Sequence, residues 1–388
     1  MPKNSPGVLR PFEEPHGRLP RRPLVPSPSR NQDKRKSDGI FSVHGEPVEP
    51  FLRCFSGIDN QAMAAKVFAT QPIPEKALSR LRQVAEVELN PDSTHIITKS
   101  ELIAALQRNN YLLCLLHDRV DAEIMDASPD LKLIASMAIT PAGVDVAAAT
   151  ARRIPVTTIP PFVTEATADL HWALLLAVAR RVVEGDRALR SGIFPGSQSM
   201  HFLGGEVNGK TLGIVGFGAI GEAVARRARG FSMRILYTKR RRLEETREAA
   251  LGVEYRSLDE LLRESDFVSV NAALSPETVH LIGDRELRLM RPSAYLVNTA
   301  RGPIVDEKAL VRALEERRIA GAALDVYERE PIVEPGLINL PNVVLTPHLG
   351  SAASDTRARI ADILVENVIA AIEGRRPPNI YNPEIYGP

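Results

Sequence analysis

Short apolar segments alternate with helical patterns from residue 66 onward. Strand-like runs such as Lys66–Ala69 and Thr211–Val215 are followed by stretches whose hydrophobic residues recur at three- and four-residue spacing. This alternation is typical of parallel sheets joined by crossover helices. The pattern therefore predicts an α/β fold with two doubly wound parallel-sheet, Rossmann-like domains, one on each side of a long helix at 165–189. Further strands are predicted at 111–116, 132–136, 156–158, 234–237, 267–271, 295–298, 321–326 and 343–345, and further helices at 75–84, 99–108, 222–229 and 352–373.

Residues 1–62 differ from the rest of the chain. They contain ten of the thirty prolines and show no hydrophobic periodicity. They also lack the apolar core of a secretory signal, and their scattered acidic residues fit a mitochondrial presequence poorly. We interpret them as a disordered, non-catalytic leader. The hypothesis that the native chain starts at Met63 stays open.

Composition and charge exclude several classes of protein. Forty-nine basic residues against forty-eight acidic ones leave a net charge of +1, so nothing favours nucleic acid as a partner. Two cysteines cannot build a disulfide framework, which favours the reducing cytoplasm. Eight scattered histidines without metalloprotease spacing predict no metal site. The longest apolar run, residues 172–179, is far shorter than the roughly 20 residues of a membrane span, so no membrane association is expected.

A glycine-rich turn directly follows the strand at Thr211–Val215. In dinucleotide-binding folds the first glycine of such a turn permits tight bending, the second lets the backbone approach a pyrophosphate, and the third allows close helix packing. The N-terminus of the next helix then offers N–H groups to the phosphates. A tight turn without a ligand is the alternative, but the flanking strands and helix favour nucleotide binding. The turn reads Gly216, Phe217, Gly218, Ala219, Ile220, Gly221.

The end of the next strand, at 234–237, carries no carboxylate. A carboxylate there would bond the ribose hydroxyls of NAD and repel the 2′-phosphate of NADP. The chain instead carries Thr238, Lys239 and Arg240, whose hydroxyl and cationic groups suit a phosphate. We therefore predict a preference for NADP, with NAD possible. The alternative is a solvated basic loop.

Three charged residues, Arg301, Glu330 and His348, each follow a predicted strand. Because ligands of open α/β sheets bind beyond the carboxyl ends of the strands, all three can reach one crevice. A carbonyl that accepts a hydride needs a cation to stabilise its oxygen and an acid to protonate it. Arg301 suits the first task and His348 the second, while Glu330 would favour the charged imidazole. Taken singly, each residue could equally cap a turn, lie in a surface loop or serve a structural role.

Together these segments resemble the D-isomer-specific 2-hydroxyacid dehydrogenase family. The resemblance covers residues 66–385 and rests on residues 213–221, 298–302, 321–331 and 346–350. It implies substrate binding by Arg301, a histidine-orienting carboxylate at Glu330 and an acid/base role for His348. It also implies that Asp325 faces the nicotinamide carboxamide. Further cofactor contacts are implied for Thr299, Ala300 and Gly350.

Within that family the sequence is most similar to glyoxylate/hydroxypyruvate reductases. The likeness implies reduction of a short, unphosphorylated 2-oxo acid, glyoxylate or hydroxypyruvate, to the D-2-hydroxy acid. Ile139 and Thr140 stand where many members have a Val-Gly pair whose backbone N–H groups hold the substrate carboxylate. Residues 271–273 replace the commoner His-x-Pro, and residues 193–203 lack the usual tryptophans. These departures bear on the substrate more than on the reaction.

Two domains are expected. Residues 63–163 with 352–388 would form the substrate domain and 164–351 the dinucleotide-binding domain, with the closing helix packed on the substrate domain. A homodimer is expected, and the apolar helix around Trp172 is either its contact or an internal core helix.

The alternatives to this function are a dinucleotide-sensing, corepressor-like binding protein and a dehydrogenase for a sugar-derived 2-oxo acid or phosphite. Formate oxidation fits less well because Glu330 replaces a neutral amide.

Overall fold

Two parallel β-sheets, each covered by helices on both faces, build the described part of the protein. The structure is a computed structural model that describes residues 65–387. The predicted leader at 1–62 and the hypothetical start at Met63 lie outside the described residues. The prediction of two α/β domains with doubly wound parallel sheets is confirmed.

The first sheet has five strands in the order β2-β1-β3-β4-β5, and all neighbours pair in parallel. This is the flavodoxin-like strand order. The helices that connect its parallel strands cover both faces of the sheet. The strands are β1 (Lys66–Ala69), β2 (Glu86–Leu89), β3 (Tyr111–Cys114), β4 (Leu133–Ser136) and β5 (Val156–Thr157). The helices between them are α1 (Glu75–Leu81), α2 (Lys99–Leu106), α3 (Ala122–Asp126) and α4 (Val146–Ala151).

Two helices, α5 (Thr164–Ala179) and α6 (Val182–Arg190), lead to the second sheet. Its strands are β6 (Thr211–Val215), β7 (Arg234–Thr238), β8 (Glu254–Tyr255), β9 (Phe267–Val270), β10 (Tyr295–Asn298), β11 (Gly321–Leu324) and β12 (Val343–Leu345). Its helices are α7 (Ala219–Ala228), α8 (Glu245–Leu251), α9 (Leu258–Glu264), α10 (Asp284–Leu289), α11 (Glu307–Glu315) and α12 (Pro335–Ile338). Short 3-10 helices lie at Arg229–Phe231, Pro276–Thr278, Gly302–Ile304 and Pro383–Tyr386.

The strand order of the second sheet is β12-β11-β10-β9-β6-β7-β8, with all neighbours parallel. The direction of winding reverses between β6 and β9. At such a switch point the crossover connections diverge, which opens a crevice at the carboxyl ends of the strands. This topology places the glycine-rich turn after β6 at the edge where a nucleotide binds.

The prediction of one continuous helix at 165–189 is wrong, because the helix is interrupted at Arg181. Arg181 has φ +55°, in the left-handed region, and separates α5 from α6. The apolar α5 is buried in the core, whereas no residue of α6 is buried. The backbone returns after α6 so that Gly205 N–H donates to Ala179 O at 2.8 Å, which satisfies the end of α5. Tertiary packing therefore ends the helix where its hydrophobic pattern would allow it to continue.

Two strands were not predicted, β2 and β8. Both are edge strands of their sheets, and they contain the polar sequences Glu-Val-Glu-Leu and Glu-Tyr. An edge strand is covered on fewer sides than a central one and does not need a continuous apolar run. Several central strands end one or two residues earlier than predicted, among them β3, β9 and β11.

The last helix, α13 (Ser354–Ile372), returns to the first sheet. Its residues Ile360, Leu364 and Val368 share a core with Val67 and Leu133. The apolar helix α5 instead belongs to the core of the second sheet, where Trp172 is 5% exposed. Trp172 is therefore an internal residue of this core. Within residues 65–387 no helix combines the length and hydropathy that a membrane span requires.

Candidate active site

The glycine-rich turn joins β6 to α7 and is shaped by close backbone contacts. Gly216 has φ +91°, and a Cβ there would overlap the backbone of Ala272, which follows β9. A Cβ on Gly221 would lie 2.6 Å from Gly216 O, so this glycine lets α7 pack onto the turn. Gly218 is different, because a Cβ on it would meet nothing within 4 Å. The turn is thus closed toward the protein and open at Gly218.

This open face fits a dinucleotide. Gly218 is the N-cap of α7, a ten-residue helix whose first N–H groups have no intrahelical partners. Ala219 is exposed and Ile220 half-buried at the same helix end. Phe217 is 4% exposed, and the centroid of its ring lies 4.7 Å from that of Tyr237. Its side chain therefore belongs to the core, and only its backbone contributes to the open face of the turn. Next to the turn, Asn271 Oδ1 is buried without a hydrogen-bond partner among the described residues.

The end of β7 borders the same turn, since Gly216 N–H donates to Thr238 O at 3.0 Å. Lys239 is half-buried and Arg240 exposed, and neither forms an ion pair within residues 65–387. The nearby carboxylate of Glu248 is not available to a ribose, because Arg242 binds it through two hydrogen bonds of 2.8 Å. The hydrogen bond from Arg242 also holds the pKa of Glu248 down to about 2. The local charge facing this edge is therefore positive.

Arg301, Glu330 and His348 follow the adjacent strands β10, β11 and β12. His348 Nδ1 lies 2.8 Å from Glu330 Oε2, and the other oxygen of Glu330 accepts a bond from Tyr327 N–H at 3.0 Å. Gly302 makes this approach possible, because a Cβ there would overlap the backbone of Tyr327. The connections after the three strands are thereby packed against one another at one edge of the sheet.

Glu330 is held as a carboxylate. Burial alone would raise its pKa, but the hydrogen bond from His348 and the positive charges of His348 and Arg301 outweigh burial and bring the pKa below its usual range. Arg301 itself donates to Ala300 O at 2.7 Å and makes no ion pair within the described residues. Its remaining N–H groups are thus available for a carboxylate or an oxo group.

Asp325 organises the turn that carries His348. It is 1% exposed, and its oxygens accept bonds from the Thr346 hydroxyl at 2.6 Å, Leu349 N–H at 2.7 Å and Gly350 N–H at 2.9 Å. Burial raises the pKa of this carboxyl. His348 has φ +55°, in the left-handed region, so these bonds hold a strained backbone.

This turn also contacts α5, where the single hydroxyl hydrogen of Thr167 is shared between Val163 O at 2.9 Å and Gly350 O at 3.2 Å. The roles of Asp325 and Thr167 in the turn were not predicted. The bonds of Asp325 join residues more than 20 positions apart, and that of Thr167 spans 183, so no local pattern signals them.

Ile139 and Thr140 lie after β4, at the carboxyl edge of the first sheet. Thr140 is exposed and Ile139 half-buried, and neither backbone N–H has a hydrogen-bond partner among residues 65–387. Within the same range no hydrogen bond joins them to Arg301 or His348. These two N–H groups are free to bind an anion such as a substrate carboxylate.

Comparison with known proteins identifies the family of this chain and the class of reaction that it catalyses. The model of the D-isomer specific 2-hydroxyacid dehydrogenase NAD binding domain matches residues 172–350. The chain is 47% identical over 327 residues to a glyoxylate reductase of Thermococcus kodakarensis, a match that covers 83% of this chain and 98% of the relative. This chain belongs to the D-isomer-specific 2-hydroxyacid dehydrogenase family. The dehydrogenase is therefore an oxidoreductase that uses a nicotinamide dinucleotide and acts on small 2-oxo or 2-hydroxy acids.

Solved structures agree with this assignment. A crystal structure of a protein from Thermus thermophilus is 45% identical with a TM-score of 0.75, covering 81% of the dehydrogenase and 99% of that chain. An NADPH-dependent glyoxylate/hydroxypyruvate reductase from Sinorhizobium meliloti, solved in complex with NADP and malonate, is 31% identical with a TM-score of 0.66 over 82% and 96% of the two chains. The enzyme interpretation is thus supported over that of a corepressor-like binding protein.

Proposed function

We propose that this dehydrogenase reduces glyoxylate or hydroxypyruvate to the D-2-hydroxy acid and prefers NADPH as the reductant. The observation that carries the proposal is the pairing of His348 with Glu330 beside Arg301, which has no ion-pair partner within residues 65–387. A cation and a carboxylate-bound imidazole on adjacent strand ends suit the reduction of a carbonyl.

A nicotinamide dinucleotide held by the glycine-rich turn and the N-terminus of α7 would supply the hydride for C2 of the oxo acid. Arg301 binds the substrate and stabilises the negative charge that develops on the carbonyl oxygen. The N–H groups of Ile139 and Thr140 bind the substrate carboxylate from the other sheet. His348 donates the proton from Nε2 to the new alkoxide, because its Nδ1 is engaged by Glu330. Glu330 fixes the tautomer and orientation of the ring and stabilises its charged form.

The substrate assignment is supported by the relatives. The Thermococcus kodakarensis and Sinorhizobium meliloti proteins carry the names of glyoxylate and glyoxylate/hydroxypyruvate reductases. A short substrate also needs few contacts beyond a carboxylate and an oxo group. Arg301 and the two free N–H groups of Ile139 and Thr140 supply these contacts.

The cofactor preference rests on the end of β7. Thr238, Lys239 and Arg240 offer a hydroxyl and two cations to a 2′-phosphate, and Glu248 is neutralised by Arg242. Charged groups bind phosphate strongly through charge-assisted hydrogen bonds. The Sinorhizobium meliloti relative is NADPH-dependent by name and has NADP bound.

Initial rates with NADPH and NADH test both assignments. The panel contains glyoxylate, hydroxypyruvate, pyruvate and a sugar-derived 2-oxo acid, and phosphite is tested in the oxidative direction. We expect the highest kcat/KM with NADPH and one of the first two acids, and D-glycerate as the product from hydroxypyruvate. If neither acid supports NADPH oxidation, the substrate assignment is wrong. A tenfold preference for NADH would overturn the cofactor assignment.

A matched pair of variants sharpens the cofactor test. Arg240→Ser should lower kcat/KM for NADPH about tenfold, the effect of one charge-assisted hydrogen bond of about 1.5 kcal/mol, and leave NADH nearly unchanged. Arg82→Ser removes an exposed arginine after α1, far from the glycine-rich turn, and serves as the control. Equal losses with both cofactors in Arg240→Ser would contradict a contact to the 2′-phosphate.

We also propose that the dehydrogenase is a homodimer whose contact is the segment 182–203 rather than the helix around Trp172. This segment exposes several large apolar side chains, and such clusters mark interfaces on soluble proteins. They are Val182, Leu189, Ile193, Phe194, Met200 and Leu203, of which Phe194 is 77% and Met200 80% exposed.

Light scattering of the purified protein tests the dimer. The double variant Phe194→Asp, Met200→Asp should be monomeric. The control Val279→Asp alters an exposed apolar residue elsewhere and should remain dimeric. A monomeric wild-type protein would refute the dimer, and a dimeric double variant would refute the contact.

A further inference from the structure

A fully buried histidine connects α5 with the nucleotide edge of the second sheet. His171 Nδ1 lies 3.1 Å from Thr299 Oγ1, and His171 Nε2 lies 3.0 Å from Ser269 Oγ. Asn271 Nδ2 donates in turn to Ser269 Oγ at 2.6 Å. We call Thr299, His171, Ser269 and Asn271 the His171 relay. Its two ends, Thr299 and Asn271, directly follow β10 and β9, where the sheet faces the crevice.

The imidazole of His171 is neutral. His171 is 0% exposed, no carboxylate contacts it within residues 65–387, and burial lowers its pKa to about 3. A neutral imidazole has one N–H donor and one acceptor nitrogen. The hydrogen bonds of the relay must therefore run in a single direction through the ring.

The buried hydroxyl of Ser269 decides that direction. Ser269 is 0% exposed and already accepts a bond from Asn271, so its own hydrogen needs an acceptor. Among the described residues the only other polar atom bonded to it is His171 Nε2, which must then be the acceptor nitrogen. His171 Nδ1–H consequently donates to Thr299 Oγ1. The reverse direction would leave the Ser269 hydrogen unbonded in the core, at a cost of about 1–3 kcal/mol.

One donor and one acceptor remain at the two ends. The Thr299 hydroxyl accepts from His171, and its hydrogen has no partner within the described residues. Asn271 Oδ1 is buried and also has no partner there. Unpartnered polar atoms inside a protein require an explanation, and a ligand in the adjoining crevice supplies one. Both ends lie beside established parts of the site, since Asn271 N–H donates to Val215 O before the glycine-rich turn and Arg301 follows Thr299 by two residues.

We infer that the His171 relay presents Thr299 as a hydrogen-bond donor and Asn271 as a hydrogen-bond acceptor to the bound dinucleotide, with His171 as their positioning residue. The amide oxygen of Asn271 accepts hydrogen bonds and cannot donate them. The ribose hydroxyls of the dinucleotide are donors that can bind it. The Thr299 hydroxyl can donate to an oxygen acceptor, such as a phosphate or carboxamide oxygen. The inference rests on dinucleotide binding and not on the proposed substrate.

Nuclear magnetic resonance of protein labelled with ¹⁵N-histidine tests the direction of the relay without substrate or cofactor. His171 is assigned from the spectrum of His171→Gln. We expect a neutral ring with hydrogen on Nδ1, unchanged between pH 8 and pH 5. Hydrogen on Nε2, or a charged ring at pH 6, would overturn the relay.

Calorimetric titration with NADPH and NADH tests the contact to the cofactor, again without substrate. Thr299→Val should weaken binding about three- to tenfold, the range for one neutral hydrogen bond. Thr157→Val is the matched control, because the buried Thr157 hydroxyl has no hydrogen-bond partner within residues 65–387 and lies in the first sheet. An affinity of Thr299→Val equal to that of the control would refute the inference.

Ser269→Ala interrupts the relay with the loss of a single oxygen and keeps the test valid if His171→Gln fails to fold. It should weaken dinucleotide binding by a similar factor. The double variant Ser269→Ala, Thr299→Val should lose less affinity than the sum of the two single losses, because Ser269 acts in part through Thr299 and in part through Asn271. Fully additive losses would show that Ser269 has only a structural role. These measurements do not depend on activity toward 2-oxo acids. They therefore test the inference even if the proposed substrate is wrong.

Discussion

His348 and His171 are two histidines at the same edge of the same sheet with opposite environments. His348 is half-buried, lies on a turn and contacts the carboxylate of Glu330 at 2.8 Å. His171 is fully buried on a helix, and its polar contacts within residues 65–387 are the hydroxyls of Ser269 and Thr299. A carboxylate stabilises a charged imidazole, whereas hydroxyls in an apolar core do not. The first environment suits a ring that exchanges protons and the second a ring that keeps one tautomer.

The largest expected effect comes from removing the exchanging ring. His348→Ala should lower kcat with glyoxylate and NADPH by about 100-fold or more, the usual share of general acid catalysis. NADPH affinity should change little, which calorimetric titration measures. His95→Ala removes a half-buried histidine that pairs with Glu101, outside both the site and the segment 182–203, and serves as the control. Activity of His348→Ala within threefold of wild type would refute the role of His348.

A smaller effect is expected from neutralising the partner of His348. Glu330→Gln keeps an acceptor for Nδ1–H but loses the charge that favours imidazolium. Hydrogen bonds to charged groups contribute about 1.5–3 kcal/mol, so kcat should fall roughly 10- to 100-fold. Steady-state rates across pH 6–9 measure the change. An unchanged kcat would remove the distinction between the two histidines.

The smallest effect concerns stability against acid and belongs to His171. Its folded-state pKa of about 3 lies below the usual value of about 6.5, so between these values the unfolded chain binds a proton that the native protein does not. Stability should therefore fall as pH decreases below about 6.5, by about 1.4 kcal/mol per pH unit from this group.

Urea unfolding at pH 7, 6 and 5 measures this slope in wild type and in His171→Gln. The glutamine cannot take up a proton, so the free energy of unfolding of the variant should depend less steeply on pH. By pH 5 the difference should reach about 2 kcal/mol. Parallel curves for the two proteins would show that His171 is protonated in the native state, in contradiction to a neutral relay.

The sequence predicted most of what local patterns can encode. Central strands such as β6 and β10 are largely apolar, and the glycines at 216, 218 and 221 mark the turn between β6 and α7. The edge strands β2 and β8 escaped prediction because edge strands need no such run. The break at Arg181 escaped it because residues far along the chain, at Gly204 and Gly205, end α5.

The positions of Arg301, Glu330 and His348 after strands were evident from the sequence, since the carboxyl ends of parallel strands share one edge. The tertiary structure alone decided which contacts these groups make. Glu330 contacts His348 because Gly302, which has no Cβ, lets the backbone of Tyr327 pack closely. Asp325 accepts hydrogen bonds from the turn that carries His348 and fixes its position. His171 is one of several polar residues in α5, and its partners lie 98 and 128 positions away. Periodicity encodes elements because it is local, whereas hydrogen bonds between elements depend on how the chain folds back on itself.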